Sequence, residues 1–279
     1  MPILGGTPTL VGLIGHPVAG NPTGMMMEAA FEHADLDWRY VSMDVAPDAL
    51  AAAVAGLGAL GFRGFNVTMP HKVAILPLLS RLSPAVELIG ASNTVVREGD
   101  GWTGENTDGK GFLAAVSEVL DPRGLRVCLL GAGGAARAVA VELALAGAAS
   151  IEIVNRDEGR GRSLAELLAT RTATTAAWRP WTSPIAIEPG VDLVVNATSI
   201  GLHDPAAAPD VDLRQAGRPL VADVVFSPPR TRLLQAAEAA GCRTLDGLGM
   251  LANQGVIGFR LWTGIEPDAA LMRAVLAGA

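Results

Sequence analysis

Two charged side chains, Lys72 and Asp108, have types and local settings that suit acid–base chemistry. Lys72 lies in NVTMPHK, where a predicted strand ends and Pro70 precedes a predicted helix through HKVAILPLLSRL. The positive end of the helix dipole disfavours a positive charge on a lysine at the start of a helix, so it favours the neutral amine. A side chain that carries a proton in catalysis must be able to adopt this neutral state. Asp108, in GENTDGKGF, is the natural partner. The alternatives to a catalytic pair are that Lys72 is an ordinary solvated lysine and that Asp108 is the N-cap of a helix.

Other polar residues indicate ligand contacts, and several types of chemistry are excluded. Asn66, Asn93 and Asn106 end strands or precede turns, where asparagine serves local hydrogen bonding or lines a hydroxyl-rich ligand. The four histidines show no metal-ligand spacing, so no metal site is predicted. No GxSxG turn occurs, and Cys128 and Cys242 lie in or beside predicted strands, which argues against covalent hydrolase chemistry.

Residues 126–155 predict a strand, a glycine turn, a small-residue helix and a second strand. Gly131 would allow the tight turn, Gly133 would let the backbone approach a pyrophosphate, and Ala136 would keep the helix close to the sheet. The helix beginning at Gly134 would direct free amides at phosphates. This βαβ unit predicts a dinucleotide site, with a purely structural turn as the alternative.

The end of the second strand indicates which dinucleotide is bound. An NAD site usually carries an acidic residue here, whereas this chain has Asn155 and Arg156. An arginine suits a 2′-phosphate, so we expect NADP, with NAD possible because Asp157 follows and would repel that phosphate. An ordinary surface arginine is the alternative.

The chain of 279 residues is long enough for two domains, and 50% of its residues are hydrophobic. With 21 Lys plus Arg against 28 Asp plus Glu and no basic stripe, a nucleic-acid partner is not expected. The amino terminus lacks a secretory signal, and the longest apolar tract is broken by charges and glycines, so no membrane association and a cytoplasmic location are expected.

Strand and helix signals alternate through the first hundred residues, and residues 91–106 predict a hairpin turning at Gly99-Asp100-Gly101. We therefore expect an α/β fold with an N-terminal α/β substrate domain and a Rossmann-type doubly wound domain. The predicted bounds are 1–108 for the substrate domain, completed by C-terminal helices over 249–279, and 109–248 for the dinucleotide domain. Ligands are expected in a cleft between the two.

The ordered segments NVTMPHK, ASNTV, NTDG, GAGGAARA, NRD, NATSIGL and DGLGMLANQ resemble the shikimate/quinate dehydrogenase family over nearly the whole chain. The resemblance implies reversible NADP-dependent hydride transfer between 3-dehydroshikimate and shikimate, or a close cyclic analogue.

By the same resemblance, Lys72 and Asp108 would handle the proton at the carbonyl oxygen. The implied substrate-binding residues are Thr68, Asn93 and Gln254, together with Asn21, Thr23 and Phe226 at positions where the family pattern differs. The implied cofactor-binding residues are Gly131, Gly133, Gly134, Ala135, Asn155, Arg156, Thr198, Ser199, Ile200, Gly247 and Met250.

Three positions depart from the family pattern. Where the family has a pair of serines for the substrate carboxylate, this chain has Asn21 and Thr23, and Phe226 replaces a tyrosine. The alternatives are therefore a quinate, aminoshikimate or other cyclic polyol dehydrogenase with an altered carboxylate pocket, or a non-catalytic NADP-binding regulatory module. The expected partner is a small cyclic hydroxy acid, and the expected assembly is a monomer or homodimer.

Overall fold

The computed structural model describes residues 6–278. The chain divides into two compact units, one formed by Met1–Thr107 with Gly255–Ala279 and the other by Asp108–Gln254. The chain passes from one unit to the other inside two helices, α5 (Thr107–Ser117) and α9 (Gly247–Thr263). Each unit is built on its own six-stranded sheet.

The sheet of the first unit is mixed, with the strand order β2-β1-β3-β5-β6-β4. Its strands are β1 (Thr9–Gly15), β2 (Trp38–Asp44), β3 (Gly64–Val67), β4 (Arg81–Leu82), β5 (Thr94–Glu98) and β6 (Gly101–Glu105). β1 runs parallel to β2 and β3, whereas β5 is antiparallel to β3 and β6. The predicted hairpin is present, and Gly99 turns it with a φ of 60°.

Helices cover this sheet and bury its apolar side chains. They are α1 (Thr23–His33), α2 (Leu50–Ala59), α3 (His71–Ala74), α4 (Pro84–Ile89) and α10 (Ala269–Ala277). α10 packs against α1, and the indole of Trp262 at the end of α9 donates to the carbonyl of Val95 on β5 over 3.0 Å. The core between the sheet and α2 includes Ile14, Val54 and Phe65.

The helix predicted through HKVAILPLLSRL is wrong in length. α3 has only four residues, a 3₁₀ turn follows over Leu76–Leu78, and the segment ends in β4. Pro77 lacks the amide hydrogen that a continuing helix requires, which explains the early end. A helix of one turn has a small dipole, so the dipole argument for Lys72 loses most of its force.

The sheet of the second unit is entirely parallel, with the order β14-β13-β11-β7-β8-β9. Its strands are β7 (Arg126–Leu130), β8 (Ser150–Asn155), β9 (Thr175–Pro180), β11 (Leu193–Asn196), β13 (Leu220–Asp223) and β14 (Thr244–Leu245), and β10 (Ile185–Ala186) pairs separately with β12 (Val211–Asp212). The helices are α6 (Gly134–Leu145), α7 (Glu158–Arg171) and α8 (Arg232–Ala239). The strand order reverses between β7 and β11, and ligands of such sheets bind at the carboxyl ends beside that point.

Candidate functional site

The predicted glycine turn lies at the carboxyl end of β7, and its glycines differ in what they require. Gly131 has a φ of +109°, and a side-chain Cβ there would lie 3.0 Å from the carbonyl oxygen of Ala197, so the turn requires glycine. Gly133 and Gly134 are exposed, and a Cβ on either would contact nothing within 4 Å. Without a side chain at either position, the main chain there is accessible.

The start of α6 has the features of an anion site. Gly133 is its N-cap and offers no side-chain hydrogen bond to the first amides of the helix. Ala135 is half-buried in the first turn, and Ala136 is fully buried against the sheet. Amides at the start of a 12-residue helix suit a pyrophosphate.

The segment after β8 is organised around Asp157. Its Oδ1 accepts from the amide of Arg160 at 2.9 Å as the N-cap of α7, and its Oδ2 lies 3.6 Å from Arg160 Nε. The side chain of Asn155 donates to the carbonyl of Asp157 at 2.8 Å. The carboxylate that was expected to repel a phosphate is therefore committed to the start of α7 and to a second arginine.

A cavity of about 370 Å³ opens beside the glycine turn, at the carboxyl ends of β7, β8 and β11. Predicted residues that line it are Gly133, Asn155, Arg156, Thr198, Ser199 and Ile200. Arg160 and Trp181 also line it and were missed by sequence reasoning, because neither α7 nor β9 was identified. The N-cap Asp157 followed by Glu158 is the signal that could have located α7.

A buried hydrogen-bond network supports the Thr198 loop. Asn196 Oδ1 accepts from the hydroxyl of Thr198 at 2.7 Å, and Asn196 Nδ2 donates to Asp223 Oδ1 at 2.9 Å. Asp223 also accepts from the hydroxyl of Thr231 and the amide of Val225. Burial raises the pKa of Asp223 to about 6, against the hydrogen bonds that lower it. This network was not predicted, since it depends on β11 and β13 being neighbours.

The predicted Asp108 and Gln254 lie on helices that are in close backbone contact within the second unit. Asp108 is in the first turn of α5, and a Cβ on Gly111, one turn later, would lie 2.7 Å from Gln254 N and from Met250 O on α9. A Cβ on Gly109 would clash with the carbonyl of Ala138 on α6. The two glycines therefore allow α5 to pack against both α6 and α9.

Gly247 and Phe226 lie near the same end of this unit. Gly247 begins α9, and a Cβ there would lie 2.6 Å from the carbonyl group of Val225. The half-buried Phe226 is the next residue after Val225. The close approach of the Val225 main chain therefore explains why position 247 is a glycine.

In the first unit, the predicted substrate residues collect at one edge of the sheet. Asn21 and Thr23 follow β1, and Thr68 follows β3, which is parallel to β1. Asn93 precedes the antiparallel strand β5, so it lies at the same edge. Lys72 is half-buried, and its carbonyl accepts from the amide of Ser92 at 2.8 Å, which places it beside Asn93 in the fold.

Buried side chains at this edge bind one another. The single tyrosine, Tyr40, donates to Asn66 Oδ1 at 2.7 Å, and Asn66 Nδ2 donates to Thr94 Oγ1 at 3.0 Å. Asn93 Oδ1 accepts from the amide of Thr107 at 2.7 Å, and Asn93 Nδ2 donates to its hydroxyl. Asn93 thus fixes the first residue of α5, and Asp108 is the next residue along the chain.

Asn21 has a specific local role. Its Oδ1 accepts from the amide of Thr23 at 3.0 Å, at the start of α1, and Thr23 itself is 5% exposed. The side-chain carbonyl is thereby used within the loop, and the amide group is the part of Asn21 suited to donate to a ligand.

Three further observations concern metals, membranes and thiols. Within residues 6–278, no group of three or more His, Cys, Asp and Glu side chains is arranged to hold a metal ion. None of the helices in the same residues combines the length and the apolar character of a membrane span. Cys128 and Cys242 are both free. Burial, followed by the charge of Glu152, raises the pKa of Cys128 to about 12, so this thiol is a poor nucleophile.

A parallel sheet with a glycine turn and cationic side chains at its switch point defines the second unit as a dinucleotide-binding unit, and the first unit is rich in buried polar side chains. Residues 13–95 match the shikimate dehydrogenase substrate binding domain, and residues 247–277 match the shikimate 5′-dehydrogenase C-terminal domain. A curated shikimate dehydrogenase (NADP(+)) from Citrifermentans bemidjiense is 48% identical over 278 residues, covering 98% of this chain and 96% of the relative.

Solved structures agree with this classification. The ligand-free 5-ketofructose reductase of Gluconobacter sp. strain CHM43 is 49% identical with a TM-score of 0.96, over 98% of this chain and 99% of that one. Shikimate 5-dehydrogenase from Listeria monocytogenes, in complex with shikimate and NAD, is 34% identical with a TM-score of 0.91, over 96% of each chain. The chain belongs to the shikimate dehydrogenase family of NAD(P)-dependent oxidoreductases. The predicted family and α/β fold class are confirmed.

Proposed function

We propose that this protein catalyses reversible, NADP-dependent hydride transfer between a polyhydroxylated ketone and the corresponding alcohol. The observation that carries the proposal is the cavity at the switch point of the parallel sheet, lined by Gly133, Arg156 and Arg160, in a chain of this oxidoreductase family. We assign the pyrophosphate to the amides of residues 133–135, the 2′-phosphate to the two arginines, and the nicotinamide side to residues 198–200, Gly247 and Met250.

The accessible glycines support a cofactor fit, since side chains at 133 and 134 would occupy the space over the amides of α6. When bound, the nicotinamide supplies or accepts the hydride. As the ketone carbon gains the hydride, its oxygen must gain one proton, and we assign that proton to Lys72 and Asp108 acting together. Thr68, Asn93 and Gln254 bind and orient the substrate hydroxyls.

The composition of the chain supports a proton-carrying role for Lys72. Of the 21 Lys plus Arg residues, only Lys72 and Lys110 are lysines. Arginine stays protonated at any physiological pH, whereas lysine can release and regain a proton in a suitable site. A chain that uses arginine for almost all its positive charge thus has one of its two lysines at a position that we assign to proton transfer.

Two substrates are supported by different observations. The names of the curated relatives support 3-dehydroshikimate, a ring ketone with a carboxylate. The 5-ketofructose reductase structure supports a keto sugar, which has no carboxylate. Asn21 and Thr23 stand where the family pattern has a pair of serines for the carboxylate, and this departure supports the uncharged ketone as the preferred substrate.

The test is oxidation of reduced nicotinamide, followed by absorbance, with 3-dehydroshikimate and 5-ketofructose offered separately with NADPH and NADH. We expect turnover with NADPH and a higher kcat/KM for 5-ketofructose. A preference for 3-dehydroshikimate would assign the protein to shikimate chemistry. Tight NADPH binding without turnover of either ketone, or of quinate and aminoshikimate in the reverse direction, would identify a non-catalytic module and contradict the proposal.

Asn21→Ser tests the substrate assignment directly. We expect this substitution to lower kcat/KM for 5-ketofructose and to raise it for 3-dehydroshikimate, each by about threefold to tenfold, the size of one hydrogen bond. Thr23→Ser is the matched comparison, since it keeps a hydroxyl at the second position of the pair, and it should change the ratio of the two values less than Asn21→Ser does. An unchanged ratio in Asn21→Ser would remove Asn21 from substrate selection.

A further inference from the structure

A tryptophan in the wall of the cofactor cavity is in contact with the arginine that we assign to the 2′-phosphate. The guanidinium carbon of Arg156 lies 5.1 Å from the centre of the Trp181 ring, within the range of a cation–π interaction. Both residues line the same cavity. The family resemblance assigns no role to Trp181.

The register of the sheet explains why these two residues meet. β8 and β9 are parallel, and Asn155, at the end of β8, pairs with Pro180, at the end of β9. Arg156 directly follows β8, and Trp181 directly follows β9. Because the carboxyl ends of parallel strands share one edge, the two side chains emerge side by side next to the cavity.

Trp181 is anchored, whereas Arg156 is exposed. The indole is half-buried and packs against the apolar core cluster that contains Val154, Ile185 and Val191. The side chain of Arg156 has many rotamers in solvent, and ordering it when a ligand binds costs free energy. A ring fixed to the core reduces that cost, because it holds the guanidinium before the ligand arrives.

The type of group that contacts Arg156 determines how well this residue can bind an anion. A carboxylate partner would neutralise the guanidinium and occupy its N–H donors, whereas the face of an aromatic ring uses neither. The nearest carboxylate in the sequence, Asp157, is bonded to the amide of Arg160 and lies 3.6 Å from the side chain of that residue. Arg156 thereby keeps both its charge and its donors for a phosphate.

We propose that Trp181 is a positioning residue that holds Arg156 in the orientation for the 2′-phosphate and so sets the preference for NADP over NAD. The inference rests on the NADP dependence proposed above. Trp181 acts here through Arg156, so it affects the part of the cofactor that distinguishes NADP from NAD.

The test is equilibrium binding of NADP⁺ and NAD⁺ to the purified protein by titration calorimetry, without substrate. We expect Trp181→Leu to raise the Kd of NADP⁺ by about fivefold and to leave that of NAD⁺ within about twofold, in line with the strength of a cation–π contact. Trp181→Phe keeps an aromatic face and should recover most of the affinity. Trp181→Met, whose unbranched side chain adapts better to the space left by the ring, carries the same expectation if the leucine variant does not fold.

The chain offers a matched control in a second pair of the same kind. Arg162 lies over the ring of Trp178 at 4.9 Å, but neither residue lines the cavity. Arg162→Ala should leave both dissociation constants unchanged.

Arg156→Ala separates failure of this inference from failure of the proposed function. One possible set of results is that the wild-type protein prefers NADP⁺, that Arg156→Ala loses this preference and that Trp181→Leu keeps it. In that case only the inference about Trp181 is wrong. If wild-type protein shows no preference for NADP⁺, the cofactor assignment itself is wrong. Equal weakening of both cofactors by Trp181→Leu would mean that the ring contacts a part common to both, which also overturns the proposal.

Discussion

The two units of this protein present ligand-binding groups in different ways. In the second unit, the predicted phosphate contacts come largely from the main chain at exposed glycines, supported by long cationic side chains. In the first unit, the polar groups are buried side chains that bind one another, from Tyr40 through Asn66 and Thr94 to Thr107 and Asn93. Recognition through main-chain amides tolerates many changes of side chain, whereas a side-chain network depends on the identity of each member.

This contrast explains where a change of substrate is easiest to make. We expect a change at Asn21, which bonds to the amide of Thr23 within its own loop, to alter the group that is bound while the nucleotide-binding turn keeps its form. Four predictions test the contrast.

The largest effect is expected at Lys72. Lys72→Ala and Lys72→Arg should each lower kcat by about 10²- to 10⁴-fold, the usual contribution of general acid–base catalysis. Lys72→Arg is the more informative variant, because it keeps a positive charge that cannot be released at neutral pH. Lys110→Arg is the control and should keep wild-type kcat. Full activity in Lys72→Arg would show that only the charge is required.

A pH-dependent effect is expected at Asp223. The folded protein holds the proton of this carboxyl up to about pH 6, whereas the unfolded chain releases it near the ordinary value of 3.8. The contribution of Asp223 to the free energy of unfolding therefore falls by about 2–3 kcal/mol as the pH rises from 3.8 to about 6. Above this range the contribution is constant.

Asp223→Asn removes this titration. Denaturant unfolding at pH 4 and pH 7 should show that the variant gains stability relative to wild type by about 2–3 kcal/mol on going to the higher pH. The amide can still accept from Val225, and the hydroxyl of Thr231 can reverse its direction. A difference between variant and wild type that is the same at both pH values would contradict the raised pKa.

The glycine turn offers a pair of substitutions with opposite expectations. Gly131→Ala should lower the free energy of unfolding by about 1–3 kcal/mol, because alanine is strained at positive φ and its Cβ would crowd the main chain. Gly133→Ala should change stability by less than about 0.5 kcal/mol, since its Cβ enters open space, yet it should weaken NADP⁺ binding. Thermal unfolding and calorimetric titration of both variants separate the structural glycine from the ligand-facing one.

The smallest effect is expected in the side-chain network. Burial raises the pKa of Tyr40 well above its usual value, so the hydroxyl stays protonated and donates to Asn66. Tyr40→Phe leaves a buried acceptor unsatisfied and should cost about 1–2 kcal/mol of stability. Thr103→Val removes an exposed hydroxyl that bonds to Glu98 and should cost less than about 0.5 kcal/mol. Equal costs for the two would mean that burial adds nothing to the Tyr40 bond.

Local patterns in the sequence were sufficient for part of this structure. The βαβ unit and the hairpin at Gly99 follow from hydrophobic periodicity and turn residues, which act between near neighbours. The short α3 was missed because the apolar pattern continued through Pro77. Trp181, Asp223 and Tyr40 could not be assigned, since their partners are set by strand order and register. The roles of Lys72 and Asp108 remain predictions from the family pattern.

The two glycines that follow Asp108 in α5 bear on how inactive relatives are recognised. Gly109 and Gly111 are required because the main chains of α6 and α9 approach α5 closely, whatever group occupies position 108. A descendant of this protein that lost its chemistry would still be held to both glycines by packing, while positions 72 and 108 would be free to vary. If Lys72 and Asp108 carry the proton as proposed, then in genome surveys the glycines report the fold, and the lysine and the aspartate report the activity.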